Sequence, residues 1–169
     1  MAEIITTIEQ AVVARLREKL PEILVESYPD EPESYRLQHH LGAILVRYEG
    51  SRYGEPQDAG RVVQERTILF DIDVVMANLS AAGEAGGVYH YLEGVRLALT
   101  GYRPPGCTRR LRPVSDAYIG RRNHTWQYGI LFATEAPALE ADESSLEPLL
   151  KRITAPDNLG QTMEVPREG

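Results

Sequence analysis

The chain has 169 residues, 43% of them hydrophobic, with 25 acidic against 18 basic side chains and a formal net charge of −7. That is enough apolar material for one domain with a real core, and the acidic balance argues against the basic surface by which most proteins grip nucleic acid. No apolar run approaches the roughly 18 residues of a membrane span, the N-terminus lacks the basic start and apolar stretch of a signal peptide, and the single cysteine, Cys107, leaves no internal disulfide and fits cytosolic synthesis.

Thr6 and Glu9 have the spacing of a capping box, and Ile8, Val12, Leu16 and Leu20 follow at helical spacing until Pro21. Residues 23–26 read as a short strand, and residues 28–38, with Pro29 and Pro32, as an extended acidic connection. A strand at 42–48 is joined by a loop at 49–60 to a strand at 61–77. In the second strand Ile68, Phe70, Ile72, Val74 and Met76 fall on one face and Thr67, Asp71 and Asp73 on the other, the period of two of a half-buried strand. It is far longer than the usual length of about five or six residues, and Gln64, Glu65 and Arg66 are polar on both faces. The core needs only residues 68–76, so the polar half and its loop are expected to project as a hairpin.

Residues 78–87 form a small-residue linker broken by Gly83, Gly86 and Gly87. Val88, Tyr91, Leu92, Val95 and Leu99 then mark a second amphipathic helix, ended by Gly101. Pro104-Pro105 stiffen the next turn. Residues 112–119 read as a strand in which Pro113 fits only near the start or on an edge. The last strand is 125–134, with Trp126, Tyr128, Ile130 and Phe132 on one face. This order predicts an α+β fold: a mostly antiparallel sheet of four or five strands, with two helices packed on one face against the two apolar stripes.

The domain is placed at residues 1–134. Residues 135–169 differ in character, with Pro137, Pro148, Pro156 and Pro166, many acids and scattered apolar residues; only Leu146, Leu149, Leu150 and Ile153 suit a short helix. Such an extended C-terminal arm could reach about 100 Å. It is either draped over its own domain or docked on a neighbouring subunit.

Little in the chain carries chemistry. Asp71 and Asp73 share a strand face about 7 Å apart, a spacing that suits a metal or an acid–base pair; the plainer reading is the solvated side of a half-buried sheet. His39 and His40 are adjacent and cannot both face one metal from a strand. Cys107 lacks a recognisable base among His39, His40, His90 and His124. Gly83-Glu84-Ala85-Gly86-Gly87 precedes a helix but lacks the Gly-Lys-Ser/Thr ending of a phosphate loop. Arg103, Arg109, Arg110, Arg112, Arg121 and Arg122 make the one basic concentration. It could touch phosphates, or pair with the acidic tail or with Asp30-Glu31-Pro32-Glu33 of a neighbour, and the overall charge favours pairing. No enzyme, cofactor or metal site is expected.

Several strings occur in a telling order: Tyr35-Arg36-Leu37, Gly42-Ala43-Ile44-Leu45-Val46-Arg47-Tyr48, Gly50-Ser51 with Tyr53-Gly54, Val63-Gln64-Glu65-Arg66, and Leu99-Thr100-Gly101-Tyr102-Arg103-Pro104-Pro105-Gly106. Over about residues 5–135 they resemble the minor tail proteins of Mu-like myophages and related prophages. The resemblance implies a tail terminator. Such a protein is a closed, usually hexameric ring on the head-proximal end of the tail tube and sheath, which stops polymerisation and offers a surface to the neck. It implies a place in the virion, assembly in the host cytoplasm, and partners among copies of itself and the tube, sheath and neck proteins. DNA would pass through without specific binding, an acidic wall repelling phosphates. The family supplies no catalytic residues.

On this reading the expected binding residues lie in the hairpin: Arg47, Tyr48, Tyr53, Arg61, Gln64 and Arg66, since Tyr and Arg are the usual interface anchors and none belongs to the core stripe. The plainer alternative is cross-strand pairing, such as Arg47 with Glu65. Other functional classes stay open. One is a neck or tail-completion protein, or the terminator of a phage-derived contractile injection particle. The others are a small metal- or nucleotide-binding enzyme using Asp71, Asp73 and residues 83–87, and a nucleic-acid module.

Overall fold

The computed structural model describes residues 3–31, 35–57, 60–79 and 86–141. The elements are helix α1 (Ile4–Lys19), strands β1 (Leu24–Ser27), β2 (Gly42–Tyr53) and β3 (Val63–Met76), helix α2 (Val88–Leu99), and strands β4 (Arg112–Arg122) and β5 (Thr125–Leu139). They form the expected α+β fold, with one five-stranded sheet in the order β1-β2-β3-β5-β4. Among the described residues only β1 and β2 run parallel.

The core lies between the helices and one sheet face. Ile8, Val12 and Leu16 of α1 and Val88, Tyr91, Val95 and Leu99 of α2 pack with Ile68, Phe70, Ile72, Val74, Met76, Ile130 and Phe132. Trp126 and Tyr128 share that face but are only partly buried, at the end where β5 begins. The capping box does not form. α1 starts earlier, with Glu3 as an N-cap that makes no side-chain cap bond, and Thr6 Oγ1 instead donates to Glu3 Oε2 at 3.5 Å. Extending the helix packs Ile4 and Ile5 against the core. Full burial of a large aliphatic side chain is worth about 1.5–3 kcal/mol, so even the partial burial of two isoleucines matches or exceeds a cap of about 1 kcal/mol.

The strands run longer than their apolar stretches. β2 passes through a bulge at Glu49, where the register steps from Tyr48 opposite Phe70 to Gly50 opposite Leu69, and continues to Tyr53. β4 continues to Arg122, and a two-residue turn, Asn123 and His124 with φ of 50° and 63°, leads straight into β5. Two positive φ values match the twist of a tight hairpin. β5 runs five residues past position 134, placing Glu135 to Leu139 opposite Thr67 to Val63. The polar end of the β2–β3 hairpin is therefore backed by a third strand. Pro137 is tolerated there because β4 begins at Arg112 opposite Ala133, which leaves this part of β5 an edge.

Parallel neighbours need a crossover connection, and here the chain between β1 and β2 makes it across the face opposite the helices. Tyr28, Tyr35 and Leu37 pack over Ala43, Leu45 and Val75, with Leu24, as a second small apolar cluster.

Candidate functional site

The six expected hairpin residues divide between the two sheet faces. Tyr48, Tyr53, Gln64 and Arg66 lie on the helix side of the sheet, with Tyr48 packed against the core and Arg66 opposite the buried Ala136 of β5. Ser51 holds them together: its Oγ is 2.9 Å from Arg66 Nε, which donates to it, and 3.0 Å from the Tyr48 hydroxyl. The Arg66 guanidinium lies over the Tyr53 ring at 5.5 Å, and Gln64 Nε2 donates to the Gly54 carbonyl at 2.8 Å. Tyr53 is 56% exposed, a large aromatic surface already oriented by its arginine. Tyr48, by contrast, is half-buried and meets the Phe70 ring edge-on at 5.8 Å, so it also serves the core. Arg61 stands exposed in the loop before β3.

Arg47 belongs to the opposite face. It does not meet Glu65; its Nη2 lies 3.0 Å from both Asp71 and Glu49, and its guanidinium covers the Tyr28 ring at 5.2 Å. The reason is register, since Arg47 is opposite Asp71 while Glu65 lies far down the strand opposite Pro137. Glu65 sits instead beside Glu135, whose nearby carboxylate pushes the Glu65 pKa up.

The solvated face expected around Asp71 and Asp73 is only half right. Asp73 is 3% exposed, because the crossover chain lies over this part of the sheet. Its Oδ2 accepts a hydrogen bond from Gln127 Nε2 at 2.9 Å, and its Oδ1 has no partner among the described residues. Burial first, and the Asp71 charge second, push its pKa up to about 6. Gly129 makes room for the pair: a Cβ there would sit 3.0 Å from Asp71 Oδ1 and 3.1 Å from Asp73 Oδ1. Sequence reasoning missed the burial of Asp73, because it depends on the parallel pairing of β1 and β2 and on Gln127 lying diagonally across from Asp73 on the next strand.

The remaining chemical candidates stay apart. Among the described residues no group of three histidine, cysteine or acidic side chains is placed to hold a metal. His39 and His40 stack on each other at 4.6 Å. Cys107 is half-buried, and burial pushes its thiol pKa up, away from the thiolate a nucleophile needs. Residues 83–85 of the glycine-rich linker and residues 142–169 of the arm lie outside the described residues. The arginines largely find local partners: Arg109 and Arg112 reach Glu135 at 3.4 and 3.2 Å, Arg110 donates to the Gly101 carbonyl, and Arg121 covers the Trp126 ring. No helix among the described residues is long and apolar enough to cross a membrane.

A family model described as Gp37 protein matches residues 12–157. The chain belongs to the Gp37 family. This makes it a phage-type protein, in line with the direction of the resemblance. The Gp37 match also runs past residue 135, so it takes in the end of β5 and part of the C-terminal arm. No curated protein matches this Gp37-family chain.

Proposed function

We propose that this Gp37-family chain is a structural protein of the phage virion that terminates the tail. In this reading it closes into a hexameric ring on the head-proximal end of tube and sheath, halts their polymerisation and meets the neck proteins. The observation that carries the reading is the polar end of the β2–β3 hairpin. Its three strands present Tyr53 and Arg66 as a pre-ordered pair, with the Tyr53 ring exposed and outside the core. Ordered aromatic and arginine side chains make inexpensive interface anchors, because little freedom is lost when a partner covers them. A head-to-tail contact that closes by rotation yields a ring instead of a filament.

The test is the native mass of the purified chain over a range of concentrations, alone and with tail tubes, with negative-stain imaging of the largest species. A hexameric ring that blocks further tube growth supports the reading. In the Tyr53→Ala and Arg61→Ala double variant the ring is expected to be lost while Tm moves by less than about 2 °C, since both side chains are exposed. Normal capping by that variant would remove the hairpin from the interface.

A further inference from the structure

A cavity of about 580 Å³ opens at the end of the sheet where β3 stops and β5 begins, between the crossover chain and the β4–β5 turn. Its charged lining is all of one sign. Arg36 comes from the crossover, and Arg122 and His124 come from the turn, with no acid among the described lining residues. Neither guanidinium has an acidic partner among the described residues, unlike Arg109 and Arg112 at the other end of β4. The floor is apolar and aromatic, with Tyr28, Leu37 and Val75. The size is that of a binding pocket, and its chemistry calls for a chain segment carrying both carboxylates and aliphatic side chains.

The chain contains such a segment. Residues 142–150, Asp-Glu-Ser-Ser-Leu-Glu-Pro-Leu-Leu, hold three acids, three leucines and no base, and the Gp37 match includes them. They follow β5 at its far end. Glu147 is eight residues beyond Leu139, so it reaches at most about 29 Å from there. The strand from Leu139 back to Gln127 on the pocket's rim spans about 40 Å. The acids therefore fall short of the pocket of their own chain, while the pocket of a copy placed head to tail lies at the right end. We infer that residues 142–150 of one copy dock in the Arg36/Arg122 pocket of the next, as the arm that links neighbouring subunits. This rests on the ring reading and supplies a contact additional to the hairpin.

The full-length chain tests it. A photo-crosslinking p-benzoylphenylalanine replaces Ala77, an exposed residue on the pocket's lining, and copies labelled with ¹⁴N and ¹⁵N are mixed before assembly and illumination. The expected products join position 77 to residues 142–150 of an oppositely labelled copy. Their yield is expected to fall about tenfold, the effect of roughly 1.4 kcal/mol, in an Arg36→Glu and Arg122→Glu double variant whose Tm is unchanged. Crosslinks confined to copies of one label, or none to residues 142–169, overturn the inference. Native mass on the same samples separates the two readings. Rings without the crosslink sink the arm alone, whereas a chain that stays monomeric even with tubes sinks both.

Discussion

Asp73 is a carboxylate with one oxygen bound to Gln127 and the other unpaired among the described residues, under a layer of chain that excludes water. Its pKa rises from 3.8 to about 6, so the folded protein holds this proton more tightly than the unfolded chain does. The sign follows from linkage. The group favours folding most below about pH 4, and that contribution falls as pH rises through about 6, by on the order of 2–3 kcal/mol. Asp73→Asn keeps an acceptor for Gln127 and removes the charge. It is expected to raise Tm at pH 7.5 by roughly 4–10 °C, with the difference from wild type shrinking toward pH 4. Equal melting of the two proteins at pH 7.5 would show that Asp73 is solvated in solution. Arg47 is the counterpart on the same face, held by Asp71, Glu49 and the Tyr28 ring, and so poorly placed to serve as a free interface anchor.

At the scale of elements, the sheet depends on close approach at the start of β2. A Cβ on Gly42 would lie 2.6 Å from the Val75 carbonyl oxygen and 2.6 Å from Met76 Cγ. The carbonyl belongs to the β3 ladder and cannot step aside, so Gly42→Ala is expected to cost about 1–3 kcal/mol, read as a lower urea midpoint with unchanged slope. Phe70 at the centre of the core is fully buried, and Phe70→Ala is expected to cost about 3–5 kcal/mol by the same measurement. A loss below about 1 kcal/mol at either site would mean that the strands repack more freely than this register allows. The alternation in β3 made its core face legible, because a period of two survives any tertiary detail. The length of β5 was not legible. Glu135 to Leu139 reads as the start of a proline-rich arm, and it becomes strand only because β3 offers an unpaired edge opposite it.

At the scale of the whole molecule, assembly and ligand chemistry make opposite predictions. A specific ligand at 100 times its dissociation constant would add about 2.7 kcal/mol of stability. The structural reading therefore predicts that divalent metals and nucleotides move Tm by less than about 1 °C, and a reproducible shift of several degrees would revive the enzyme alternative. Assembly should instead depend on salt. Arg61 of the hairpin and the Arg36/Arg122 pocket are solvent-facing, and exposed charges lose most of their pull when the Debye length shrinks from about 10 Å at 0.1 M to 3 Å at 1 M. Rings measured by native mass are expected to dissociate toward monomer over that range, while the Tm of the monomer holds.

The sequence by itself determined the α+β class, both helices, the buried stripe of β3 and the phage-type affiliation. Each of these is written in local periodicity or in short strings, which need no knowledge of what lies across from them. Only the tertiary structure decided which residues the strings bring together. Asp73 is buried because β1 and β2 are parallel and their connection must cross a face. Arg47 pairs with Asp71 instead of Glu65 because of register. Arg36 and Arg122 share one pocket because the crossover chain and the β4–β5 turn meet at the same end of the sheet, 86 positions apart in the chain. Contacts of that kind are set by how strands align, and a single sequence carries no local mark of alignment.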